Sequence, residues 1–70
     1  MSKREQQKQQ RRENIIKIAT DLFLEQGIQT IQMQDIATAA GVGIATLFRY
    51  FPKKEYLVIA ATNAITDKMA

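Results

Sequence analysis

Apolar residues recur three and four positions apart along most of this chain, and no alternating run has turn signals on both sides. That period belongs to helices rather than strands. From Arg11 to Gln26, the set Ile15, Ile18, Ala19, Leu22 and Phe23 makes one apolar stripe, with Lys17, Asp21 and Glu25 opposite. The spacing predicts helix 1 over about 11–26, stopped by Gly27 as the residue just past its end. Asp21 and Glu25 are like charges one turn apart and weaken it slightly. Residues 28–32 read as a short connection. Helix 2 is expected over about 33–40, with Ile36, Ala37 and Ala40 on one face. Helix 3 is expected over about 44–50, only two turns or on the order of 10 Å long, with Leu47, Phe48 and Phe51 turned inward. Pro52 disfavours a helical Phe51 and so separates helix 3 from helix 4. Helix 4 starts near Lys53 and directs Leu57, Ala60, Ala61, Ala64 and Ile65 inward. The fold class is therefore all-α: a three-helix bundle with a helix-turn-helix, plus the start of a fourth connecting helix.

The stretch Met33–Phe51, MQDIATAAGVGIATLFRYF, carries the most information. It reads as helix, tight turn, helix, with Gly41, Val42 and Gly43 as the turn. Ala37 is small enough to let the second helix approach closely. Gly41 can adopt φ > 0 without a Cβ clash and end the first helix sharply. A corner of this size is what a DNA-binding helix-turn-helix uses to present its second helix to the major groove.

Composition narrows the chemistry. Seventy residues bound the chain to one domain, with a core that rarely gives more than about 3–5 kcal/mol of net stability. There is no Cys and no His, so no disulfide, thiolate metal site or histidine base is available. The acidic residues are scattered and no Gly-rich phosphate loop is present, so neither an enzyme nor a cofactor or metal site is expected. The longest apolar run, Tyr56–Ala61, is too short to cross a membrane. The basic start has no apolar segment behind it and is not a secretory signal. A soluble, reducing, cytoplasmic setting follows.

The net charge of +3 is unevenly distributed. Lys3, Arg4, Lys8, Arg11 and Arg12 crowd the start, and Arg49, Lys53 and Lys54 follow helix 3. Glu13, Asp21, Glu25 and Asp35 lie mostly between the clusters. Two basic patches flanking a helix-turn-helix suit a polyanion that runs past both. For the first patch alone, an ordinary solvated face is the simpler reading; the second stands where a recognition helix meets phosphate. Residues 1–10 are a basic polar arm, either disordered or a frayed extension of helix 1, because Glu, Gln, Lys and Arg are good helix formers. Residues 11–52 form the expected DNA-binding domain, and 53–70 the start of helix 4. The apolar pattern of helix 4 runs on through Ile65 and Met69 to Ala70 without a stop signal. That predicts the front part of a longer protein, or a stripe that pairs with its own copy.

Three segments, IKIATDLFLEQG (16–27), DIATAAGV (35–42) and TLFRYFPKKEYL (46–57), together resemble the N-terminal domain of the TetR family of bacterial transcriptional repressors. The likeness covers about Arg12 to Leu57, and it is the combination of segments that is specific. The resemblance implies a ligand-responsive repressor that binds a pseudo-palindromic operator in double-stranded DNA as a homodimer. Dimerisation and a small-molecule effector would belong to a C-terminal domain absent from these seventy residues. The family's contact positions fall on Gln34, on Gly43, Ile44 and Ala45 just after the turn, and on Thr46, Phe48, Arg49, Tyr50, Lys53 and Lys54. Gln34 either pairs with an adenine edge or is simply solvated, and Ile44 either meets a thymine methyl or packs against helix 1 or a neighbouring protomer. Gly43 and Ala45 let the helix start approach closely, and the Thr46 hydroxyl is expected to make contact. Phe48 stands where the family has Tyr and lacks its hydroxyl, so a core role is expected for the ring. Arg49 supplies a charged phosphate contact in its place. Tyr50 offers a phenol to phosphate or base, in preference to a half-buried position. Lys54 matches the family's phosphate-binding lysine. Gln32 replaces the usual Ser or Thr cap of helix 2, leaving Asp35 to favour the helix dipole. Lys53 occupies another cap position, where a cation is unfavourable unless a phosphate lies close by.

One competing function is a small helical module that binds protein through the apolar face of helix 4; such binding would respond little to salt. A membrane-surface segment is disfavoured, because the arm has no apolar residue after Met1 to insert.

Overall fold

Two left-handed glycines and a proline divide the chain into helices at the expected corners. A computed structural model describes the backbone of residues 3–69 and the side chains of residues 7–66. The helices are α1 (Lys3–Gln26), α2 (Met33–Ala40), α3 (Ile44–Tyr50) and α4 (Lys54–Met69). No strand occurs among the described residues. The expected bounds of α2 and α3 hold, and α4 starts one residue later than expected.

At the start of α1 the structure takes the second of the two readings, an extension of helix 1. The helix begins at Lys3, so the polar segment KREQQKQQ is helical rather than a separate strand of coil. This segment contains no Gly, Pro or β-branched residue, and its residue types lose little side-chain freedom in a helix. Met1 and Ser2 lie outside the described residues. At the other end, Gly27 has φ 92°, and its N–H donates to the Phe23 carbonyl at 2.9 Å. A single αL residue thus ends a 24-residue helix within one peptide.

The α2–α3 corner is a Schellman closure. Gly41 sits at φ 71°, ψ 29°. The Val42 N–H bonds the Ala37 carbonyl (3.0 Å) and the Gly41 N–H bonds the Thr38 carbonyl (3.2 Å). Two otherwise unpaired carbonyls are satisfied, and Val42 packs its side chain against the core, as this motif favours. A Cβ built on Gly41 meets nothing within 4 Å, so glycine is required here by the backbone alone. Gly41→Ala is expected to lower stability by about 1–2 kcal/mol, read as a fall in thermal midpoint of about 4–8 °C per kcal/mol. Gly43 is different: φ −70°, ψ 151° suits any residue, and its Cβ direction is also open. Gly43→Ala is expected to leave the midpoint unchanged or slightly raised.

At the start of α2, Gln32 is extended (φ −108°, ψ 163°), and its backbone N–H donates to Asp35 Oδ2 at 2.9 Å. Asp35 therefore does more than favour the dipole. It supplies the reciprocal half of a capping box, which explains how a weak cap residue is tolerated.

α1 packs against α4 and α2, and α2 against α3. Each of α1–α4 sends one aliphatic side chain to full burial: Ile15, Ile36, Leu47 and Leu57. Ala19, Phe23, Ala37, Phe51 and Ala61 fill in around this node. Of the expected stripes, Ile18, Leu22, Ala40, Ala60, Ala64 and Ile65 are half-buried. Ile31, in the connection read as a plain loop, is 2% exposed and belongs to the core. The guanidinium of Arg12 stands 5.3 Å from the centroid of the Phe51 ring. A cation–π contact at an exposed site is worth about 0.5–1 kcal/mol, and this one clips α1 to the α3–α4 corner. Among the described residues no helix is long and apolar enough to cross a membrane. None brings together three or more metal-ligating side chains.

Candidate nucleic-acid interface

α3 has seven residues and a single buried one, Leu47. That residue faces the core, and the Phe51 N–H bonds the Leu47 carbonyl at 2.9 Å as the chain leaves the helix in an extended conformation. The opposite side is open. Gly43, Ala45 and Arg49 are exposed, and Phe48 is 43% exposed. Ala45, Phe48 and Arg49 are three and four residues apart and share this outer face.

The outward position of Phe48 corrects the expectation that it faces the core with Leu47 and Phe51. Successive residues of a helix are about 100° apart. So short a helix buries one narrow strip, which Leu47 fills, and Phe51, four residues on and bonded to the Leu47 carbonyl, falls on the same side. Tyr50 departs in the other direction. It was expected to offer its phenol outward, but its ring is half-buried and packs against the core. Ile44 also packs partly against the core and is half-buried, which leaves part of it at the surface.

Thr46, Arg49 and Tyr50 line a hollow of about 480 Å³ whose other wall is Gln7, Lys8 and Arg11 of α1. Gln34 is exposed on α2 and its amide nitrogen reaches Thr38 Oγ1 at 3.3 Å. This is a loose tie along the helix that leaves the amide oxygen and one N–H unspent. Lys53 is exposed and Lys54 half-buried, just before and at the first residue of α4. Among the described residues no polar or charged side chain is buried: Gln34, Arg49 and Lys53 are exposed, and Thr46, Tyr50 and Lys54 half-buried.

The sequence-predicted positions thus separate into three groups. Gly43, Ala45, Phe48 and Arg49 form the outer face of α3. Thr46 and Tyr50 turn toward α1, and Ile44 packs partly against the core. Gln34 on α2 and Lys53 and Lys54 at the start of α4 stand on neighbouring elements. Gln7, Lys8 and Arg11 were not among the predicted contacts. Their common signal is the i, i+1, i+4 spacing of one helix face, which is readable only once α1 is known to begin at Lys3.

On the other side of α1 a groove of about 610 Å³ runs between α1 and α4, lined in part by Glu13, Ile16, Lys17, Leu24, Ala60 and Ile65. Beside it Leu24 is 71% and Ile59 58% exposed. The apolar stripe expected on helix 4 is therefore present as far as Ile65; the Met69 side chain and Ala70 lie outside the described residues.

A short helix anchored by one buried leucine, held by a glycine corner and bordered by lysine and arginine, defines a helix-turn-helix DNA-binding domain. Residues 15–61 match the family model described as bacterial regulatory proteins, tetR family, and the chain belongs to that family of transcriptional regulators. It is 36% identical over 52 residues to the HTH-type transcriptional repressor KstR of Rhodococcus jostii, a match spanning 74% of this chain and 24% of that protein. It is 32% identical over 68 residues to KstR of Mycobacterium tuberculosis, spanning 87% of this chain and 31% of that protein. With the HTH-type transcriptional regulator LuxR of Vibrio harveyi the identity is 38% over 60 residues, spanning 86% and 29%. The chain thus spans less than a third of the length of each of these relatives. No solved structure gives a significant match.

Proposed function

We propose that this chain is the operator-binding head of a ligand-responsive repressor that acts in the bacterial cytoplasm as a homodimer. Two copies bind a pseudo-palindromic site with their α3 helices in successive major grooves, about 34–36 Å apart. The observation that carries this reading is the division of α3: Leu47 alone is buried, while Gly43, Ala45, Phe48 and Arg49 are exposed. A helix held from behind by one residue has its front free to enter a groove.

Arg49, Lys53 and Lys54 hold phosphates and set the register, with the Tyr50 hydroxyl beside them. Gln34 and Thr46 are the polar base readers, and the exposed remainder of Ile44 meets a thymine methyl. Ala45 and Phe48 add an apolar surface that thymine methyls also suit. Gly43 is required neither by its backbone nor by its internal packing. Its lack of a side chain therefore serves close approach to the duplex. With so few polar readers, part of the specificity comes from DNA shape. Residues 53–70 begin the helix that leads to an effector-binding and dimerising domain. A bound effector there would release DNA by changing the spacing of the two heads.

The test is selection of bound duplexes from a random pool by the full-length protein. A two-fold symmetric consensus with half-sites one helical turn apart is expected; recovery of no preferred sequence refutes the reading. Gln34→Ala should then relax one position per half-site, with a loss of about 1–3 kcal/mol of discrimination there. Equal weakening at every position would instead make Gln34 a general contact.

A further inference from the structure

The N-terminal turns of α1 bring a cationic wall up to the recognition helix. Lys8 and Arg11 of α1 and Arg49 of α3 line one hollow together with Gln7, Thr46 and Tyr50. Three of the six are cations, the other three carry hydrogen-bond donors, and no carboxylate is among them. A second hollow of about 490 Å³ shares Gln7 and Arg11 and continues along α1 past Gln10 and Asn14 to Gly41 and Val42 at the turn. It too contains no acidic side chain among the described residues.

Charge is sorted by face on this helix. Glu13, Lys17 and Asp21 line the groove toward α4, whereas the polar α1 side chains described on the face toward α3 and the turn are Lys8 and Arg11 with the neutral Gln7, Gln10 and Asn14. Arg11 and Arg12 are adjacent in sequence yet divided in the same way: Arg12 covers Phe51 and lines the α4 groove, and Arg11 lines the α3 hollow. Like charges gathered in one concave wall repel one another and destabilise the free protein unless an anion shares the space. An extended polyanion passing the outer face of α3 fits both the sign and the length of the wall.

We propose that Lys8 and Arg11 form a phosphate clamp, which grips the DNA backbone beside the half-site that α3 enters. The clamp rests on the DNA-binding reading above and extends the contact surface from α3 and α4 onto α1. It acts on the backbone, so it adds affinity and salt dependence without reading bases. It also gives the helical start of α1 a purpose: a rigid helix holds both cations at a fixed spacing, which a coil arm would not.

The experiment compares full-length protein with its Lys8→Gln/Arg11→Gln form on the duplex selected by the unsubstituted protein, titrated from 50 to 200 mM salt. Each neutralised phosphate contributes about 0.9 to the slope of log K against log salt. Two such contacts on each of two heads make four, so the double variant is expected to show a slope shallower by about 3.6, which makes its loss of affinity across that range about a hundredfold smaller. Its thermal midpoint should not fall, because both side chains are exposed, and its preferred sequence should be unchanged. Lys17→Gln, on the α4 side of the same helix, removes a like charge and should leave the slope alone. Arg11→Lys should restore part of it. An unchanged slope in the double variant, or an equal reduction by Lys17→Gln, overturns the clamp while sequence-specific binding stands. Absence of any sequence preference in the unsubstituted protein brings down the clamp and the function together.

Discussion

Leu47→Ala is expected to unfold the domain at room temperature. Leu47 is fully buried, and truncating a buried leucine to alanine costs about 2–5 kcal/mol through lost transfer energy and the cavity left behind. A core in a chain of seventy residues supplies only about 3–5 kcal/mol in total. The neighbours cannot close the cavity easily, because Ile15, Ile36 and Leu57 are each fully buried on other helices and are held by those helices. Circular dichroism on heating should show the midpoint falling by about 4–8 °C per kcal/mol lost, with helix content reduced at 25 °C. Leu47→Met keeps the volume and should cost less than about 1.5 kcal/mol. A midpoint for Leu47→Ala within a few degrees of the parent would mean that α3 is not anchored through this residue.

The second large effect is on binding. Arg49→Ala combined with Lys54→Ala is expected to weaken binding to every duplex, specific or not, by about thirtyfold per head near 0.15 M salt, and so by about a thousandfold for the two-headed dimer. This figure takes one phosphate per side chain and a contact that vanishes near 1 M salt, which gives about fivefold each. Stability should move the other way or not at all. Arg49 is exposed, and Lys54 is the first residue of α4, where a cation opposes the helix dipole by about 0.3–1 kcal/mol. Removing Lys54 therefore relieves the folded protein while it harms the complex. Fluorescence anisotropy on selected and scrambled duplexes, paired with a thermal melt, separates the two. A loss confined to one base position would make these side chains base readers rather than backbone anchors.

The parts of the fold legible in the sequence are those with explicit punctuation. Gly27, Gly41 and Pro52 each forbid or favour one backbone state, so the corners around α2 and α3 fell where local chemistry put them. The start of α1 has no such mark. A run of Gln, Lys, Arg and Glu suits a solvated coil and a surface helix almost equally, and only the surroundings of the folded chain decide between them. Ile31 was missed because one apolar residue in a connection has no period to reveal its burial. Phe48 faces outward against expectation because a seven-residue helix is too short for its apolar pattern to fix its rotation; the buried Leu47 fixes it instead. The candidate contacts on α2, α3 and α4 came from a family likeness spread over several segments. Lys8 and Arg11 stood outside that likeness, and their nearness to Arg49 is a tertiary fact that no local pattern encodes.

Since one side chain secures α3 while the other six of its residues lie wholly or partly at the surface, this helix is unusually free to be rewritten. Exchanges at positions 45 and 48, both exposed, remove no buried side chain and draw little on the reserve that keeps the domain folded. A lineage, or an engineer, can therefore alter this outer face by small steps, each intermediate remaining a sound molecule.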